Sequence, residues 1–106
     1  MNLTLLALIV AAVLEISGDA LIRAGLVDAK WHLVVGGGAV LVAYGLVVNV
    51  NRTIDFGRLM GVYIAVFFVV SQIVAFAAFG SRPSIRSVLA GALIVVGGVL
   101  FQLGSD

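Results

Sequence analysis

Glu15, Asp19 and Arg23 follow one another at four-residue intervals within the apolar stretch AAVLEISGDALIRAGL, Ala11 to Leu26. On a helix, residues four apart stack along one face. Asp19 and Arg23 are opposite in sign and i,i+4, the arrangement of a local ion pair that fixes packing. Glu15 lies two turns from Arg23, about 12 Å along the axis, beyond the reach of that guanidinium. A carboxyl placed so can take up and release a proton, or seat a cation. Glu15 is therefore the candidate proton- and substrate-binding group, with Ser17 and Gly18 beside it. Asp19 and Arg23 are expected to form an ion pair, with Arg58 as a further candidate for ion pairing or gating.

The elements that must hold these groups are not those of a soluble domain. Of 106 residues, 63% are hydrophobic and 10% are charged, and the mean hydropathy is +1.30. Soluble domains carry roughly 25% charged residues. One core of this size cannot bury so much apolar surface, so lipid is the expected solvent. A net charge of +1 gives no reason to expect nucleic acid as a partner. There are no cysteines, which excludes disulfides and thiolate chemistry, and one histidine, His32, cannot hold a metal alone. The first residues, MNLTLLALIV, lack the basic region of a signal peptide and read as the start of a retained span.

Four apolar segments are expected to be helices, at about Leu3–Ala24, His32–Val50, Gly57–Phe79 and Ile85–Leu103. Each approaches the roughly 20 residues a membrane span needs. A soluble four-helix bundle would need a polar face on every helix, and the second, third and fourth have none. The expectation is an all-α membrane protein with one four-helix transmembrane domain over residues 1–106, a bundle small enough to assemble as a dimer. Short connections make successive helices antiparallel neighbours, with both termini on one side. Pro83 stands where the fourth helix can begin. Small residues Ala90, Gly91, Gly97 and Gly98 suit a close helix contact in lipid and are the candidate dimer interface. Arg23, Lys30, Arg82 and Arg86 fall on one side and Arg52 and Arg58 on the other, a weak bias for placing the first and third connections in the cytoplasm.

Counted from Leu3 at ~1.5 Å per residue, Glu15 is about 18 Å into a ~30 Å hydrocarbon core and Asp19 about 24 Å. An acid at that depth costs a few kcal/mol and commonly marks an ion pathway. The later part of the second helix carries Tyr44, Asn49 and Asn51. The third carries Arg58, Tyr63, Ser71 and Gln72. Tyr63 and Phe67 are one turn apart, an aromatic face suited to a lipophilic cation, and Tyr63 can donate a hydrogen bond to Glu15. Trp31 and His32 read as anchors at the membrane interface. No nucleophile–base pair, metal cluster or phosphate loop is visible, so an enzyme is not expected. The glycines Gly36 to Gly38 follow no strand and read as helix-packing residues.

Four short spans with an acid in the middle of the first, as LEISGDALIR, resemble the small multidrug resistance family of the drug/metabolite transporter superfamily. The resemblance covers nearly the whole chain. Its parts are Glu15 and Gly18 as E-x-x-G, Trp31, Gly57, Tyr63, FGSR at Phe79 to Arg82, and GALIVVGGVL. The stretch FGRLMGVY looks more like the related YnfA-type branch. The resemblance implies a multi-pass protein of the bacterial or archaeal inner membrane that exports small cationic or lipophilic compounds by alternating access. It implies the proton as coupling ion with no other cofactor. It also implies a homodimer, antiparallel in many members, or a heterodimer with a related subunit. By resemblance Glu15 exchanges proton for substrate, and Tyr63 takes the place of the family's third-helix tryptophan. The chain departs from the pattern at Asp55 in place of a proline, at Val40 in place of a second-helix tyrosine, at Asp19, and at Ala65, Val66 and Phe67 in place of a glycine hinge. Two other readings remain: export of a lipid-linked sugar, and a non-transporting scaffold or partner subunit.

Overall fold

The structure, a computed structural model, describes residues 3–103, with only the backbone of Ala78 and Phe79. Its helices are α1 (Leu3–Val27), α2 (Trp31–Val48), α3 (Phe56–Phe79) and α4 (Ile85–Leu103), and no strand occurs among the described residues. All four are long and apolar enough to cross a membrane. Their outward faces carry large apolar side chains, with Leu93 75% exposed and Trp31 at the start of α2 72% exposed. In water such faces would be costly at roughly 25 cal/mol per Å2. In lipid they are at home. The chain is an all-helical, multi-pass membrane protein.

The chain divides into two compact units at Asn51 and Arg52, each a helical hairpin. In the first, α1 packs on α2. Glycines seal the seam. A Cβ at Gly37 would stand 2.7 Å from the backbone oxygen of Gly18 and 2.7 Å from Ile22. One at Gly18 would meet Leu41 at 2.8 Å, and one at Gly25 would meet Val34 at 2.7 Å. The helices touch backbone to backbone, which only small residues permit. Gly36 and Gly38 face open space, so of the three adjacent glycines Gly37 alone serves packing.

In the second unit α3 packs on α4 by the same device. Gly61 lies under the Phe101 ring, Gly91 under Phe68, and Gly98 against Ala65. Gly91 and Gly98, expected at a dimer interface, are therefore occupied within the hairpin. Of that set, Ala90 remains exposed and Gly97 faces open space.

The helix ends account for the shifted boundaries. α1 continues three residues past the expected Ala24, because Gly25 belongs to the seam rather than to a break. It closes with Ala29 at φ 55° and a bond from the Lys30 amide to the Gly25 carbonyl, 2.8 Å. That is the Schellman arrangement, with alanine in the left-handed position usually given to glycine. α2 stops at Val48, two residues early. There the Asn49 amide side chain donates to the Gly45 carbonyl at 2.9 Å, and that of Asn51 donates to the Thr4 hydroxyl at 3.1 Å, tying the end of α2 to the start of α1. Asp55, in the proline position of the resembled family, caps α3 by accepting from the Arg58 amide at 3.3 Å. Gly80 turns the chain out of α3 at φ 66°. Ser84, just after Pro83, accepts from the Ser87 amide at 3.2 Å and starts α4 at the expected Ile85.

Candidate functional site

Glu15 is the middle residue of the 25 in α1, about 18 Å from either end. Its side chain is partly buried. Steps of seven along a helix drift by only about 20°, so Leu8, Glu15 and Ile22 form one stripe. Leu8 is 2% exposed, and Ile22 lies against Gly37 of α2. Glu15 thus occupies the packed side of α1, between an apolar anchor and the glycine seam. Steps of four drift by about 40°, since 3.6 residues make a turn. The row Glu15, Asp19, Arg23 therefore winds off the packed face, and Asp19 and Arg23 are both exposed.

The expected Asp19–Arg23 ion pair is not formed among the described residues. Proximity at i,i+4 is worth only a few tenths of a kcal/mol on an exposed face, too little to hold two mobile side chains together. Ser17 is exposed, on the far side of α1 from the seam. Gly18, expected beside the bound substrate, is buried against Leu41 and the Gly37 carbonyl, so its part in the fold is to let α2 approach.

Tyr63 belongs to the second hairpin and is 4% exposed. Its ring lies 6.0 Å from that of Phe67, tilted by 48°, so the aromatic pair read from the spacing is present. Ser71 turns its hydroxyl back to the Phe68 carbonyl at 2.7 Å, and Gln72 is exposed. Arg58 is near the start of α3 and works on the end of α4. Its Nε donates to the Phe101 carbonyl at 3.1 Å and its Nη2 to the Gln102 carbonyl at 3.0 Å. Those carbonyls lie in the last turn, where the helix supplies no donor and carries partial negative charge. Arg58 is a cap in trans for α4. The sequence signal was an arginine at the mouth of one helix facing the tail of its antiparallel neighbour.

Comparison with known proteins places the chain. It is 38% identical over 97 residues to a UPF0060 membrane protein of Rhodococcus erythropolis, covering 91% of this chain and 89% of that one. It is 35% identical over 96 residues to a UPF0060 membrane protein of Staphylococcus aureus, covering 90% and 88%. The chain belongs to the UPF0060 family. A UPF0060 membrane protein of Mycolicibacterium gilvum matches at 36% over 95 residues. UPF0060 proteins are the YnfA-type family that FGRLMGVY resembles. No protein-family model matches the chain, and no solved structure does.

Proposed function

We propose that this UPF0060 protein is the subunit of a proton-coupled exporter of small cationic or lipophilic compounds. The observation that carries the reading is the place of Glu15. It is a carboxyl at the middle of a membrane-spanning helix, on that helix's packed side. Insertion of such a group costs a few kcal/mol, and acids kept at that depth commonly serve ion pathways. The resemblance to small multidrug resistance proteins points the same way.

The chemistry is competition at one oxygen pair. Deprotonated Glu15 attracts a cation; protonated Glu15 has no charge to hold it and lets it go. The chain acts as one transmembrane domain and pairs with a second copy, so that two Glu15 carboxyls serve one substrate while access alternates between the two faces. Tyr63, an aromatic group with a hydroxyl, offers a surface for the cation. Two protons exchanged for one monovalent cation move one net charge. The membrane potential then contributes roughly 2.3 kcal/mol per 100 mV, and each pH unit contributes about 1.4 kcal/mol per proton. An anionic lipid-linked cargo would want a cationic side chain in the span. Arg58, the nearest candidate, has two of its donors engaged by α4.

The test is Glu15→Gln, which keeps shape and removes the titratable charge. Purified into proteoliposomes with a pH gradient, the variant should fold and lose all proton-coupled movement of a lipophilic cation such as tetraphenylphosphonium. Transport at the wild-type rate would remove Glu15 from the site.

A further inference from the structure

The seam of the first hairpin fixes which residue of α2 faces Glu15. Three contacts set the register. Gly25 of α1 meets Val34 of α2, Ile22 meets Gly37, and Gly18 meets Leu41. The helices run antiparallel, so a step toward the start of α1 is matched by an equal step toward the end of α2. Seven residues back from Ile22 is Glu15, and seven residues on from Gly37 is Tyr44. Seven-residue steps hold their face to within about 20° on both helices. Tyr44 also lies between Gly37 and Val48, the two buried residues of α2. Both Tyr44 and Glu15 are partly buried.

We propose that the Tyr44 hydroxyl is the hydrogen-bond donor that holds the Glu15 carboxylate in position, from within the same protomer. Glycine-sealed helices lie at or below the usual interaxial distance of about 8–10 Å. A glutamate and a tyrosine reaching from facing stripes span that gap. A phenol is a neutral donor, so it orients a carboxylate without a second charge in the span. Other titratable groups do not compete from these two elements. On α1, Asp19 and Arg23 wind off the packed face. On α2, the other titratable side chain is His32, twelve residues from Tyr44 at the opposite end, about 18 Å away. Tyr44 is accordingly a positioning residue, and the donor to Glu15 does not have to come from a partner chain.

The proposal rests on Glu15 being the site, but its test needs no cargo. Glu15 is the only glutamate in the sequence, so full-length protein labelled with 13Cδ-glutamate in lipid bilayers reports a single carboxyl. The midpoint of that carboxyl is read by pH titration. Tyr44→Phe removes the hydroxyl alone and should move that midpoint by about one unit, a tenfold change in proton affinity. Gly45→Ala, next to it but facing open space, should leave the midpoint in place. An unchanged midpoint in Tyr44→Phe overturns the proposal, since a tyrosine that only fills space would give that result. Should Tyr44→Phe fail to fold, the wild-type protein with 13Cζ-tyrosine added should show a through-space correlation from Glu15 to one tyrosine that persists in Tyr63→Phe. Absence of that correlation overturns the proposal equally. A moved midpoint together with no cation transport would keep the contact and remove the export reading. Transport lost in Glu15→Gln together with an unmoved midpoint would do the reverse.

Discussion

Glu15 at the centre of α1 is legible in the sequence because an acid in the middle of an apolar helix has few bland explanations. Its neighbours were harder to read. Spacing of four suggested that Asp19 and Arg23 share the fate of Glu15, but the four-residue row winds by about 40° per step and carries them off the packed face. Arg58 was legible as a charge near a helix start and not as a cap, because the carbonyls it serves are more than forty residues away in the chain. At this scale the proposed mechanism makes a prediction with a definite sign. If proton and cation compete for Glu15, protonation removes the charge the cation binds. With two protons displaced per cation, cation affinity should then fall by about a hundredfold per pH unit well below the midpoint of the Glu15 titration and level off above it. Isothermal titration of purified protein with tetraphenylphosphonium across that range checks it. Equal affinity on both sides would show that cation and proton bind separately.

Each hairpin depends on a few glycines, and composition alone does not say which. Gly36, Gly37 and Gly38 look alike in sequence. The register singles out Gly37, whose missing Cβ leaves room for the Gly18 carbonyl. Gly37→Ala must push apart two backbones and should destabilise the α1–α2 hairpin by about 1–3 kcal/mol. Gly38→Ala meets nothing within 4 Å and should be neutral, or stabilising by up to ~1 kcal/mol from helix propensity. Unfolding in mixed micelles followed by circular dichroism separates them, and equal effects would mean the register is wrong. The turn between α1 and α2 offers a gain. Ala29 holds φ 55°, which costs an L-residue roughly 1–2 kcal/mol. Glycine removes that cost and adds back about 0.5–1 kcal/mol of backbone entropy. Ala29→Gly should therefore stabilise by about 0.5–1 kcal/mol in the same measurement, and a loss of stability would contradict the left-handed turn. The helices themselves were legible to within three residues, since apolar length is a strong signal. The ends moved where glycine served packing or asparagine served termination, and those roles depend on the neighbouring helix.

At the scale of the whole molecule, the proposed pairing of two copies can be tested on α4. Gly91 and Gly98 are used within the hairpin, so a second copy that docks on α4 through small residues would use the stripe of Ala90 and Gly97, about 100° around the helix. The weak charge bias, Lys30 and Arg82 against Arg52 outside the helices, does little to force one insertion direction, so parallel and antiparallel pairs are both accessible. The two pairs bring different residues together. Ile94 is the middle of α4, and a parallel two-fold sets each residue against its own copy. An antiparallel pair centred there sets Gly97 level with Gly91 and within one residue of Ala90. It also separates the two Gly97 positions by about 9 Å along the axis, beyond the ~7 Å between Cα atoms that a disulfide tolerates. The chain has no cysteines, so single substitutions report cleanly. An antiparallel dimer predicts that Ala90→Cys and Gly97→Cys, each silent alone, cross-link when the two variants are mixed during expression and oxidised in the membrane. A parallel dimer predicts that Gly97→Cys cross-links to itself. Gly98→Cys, which presses on Ala65, should instead loosen the α3–α4 hairpin and give neither pattern. No cross-link from either stripe residue would mean that α4 is not where copies meet. The Glu15 site would then have to be completed through a different helix, or within one chain.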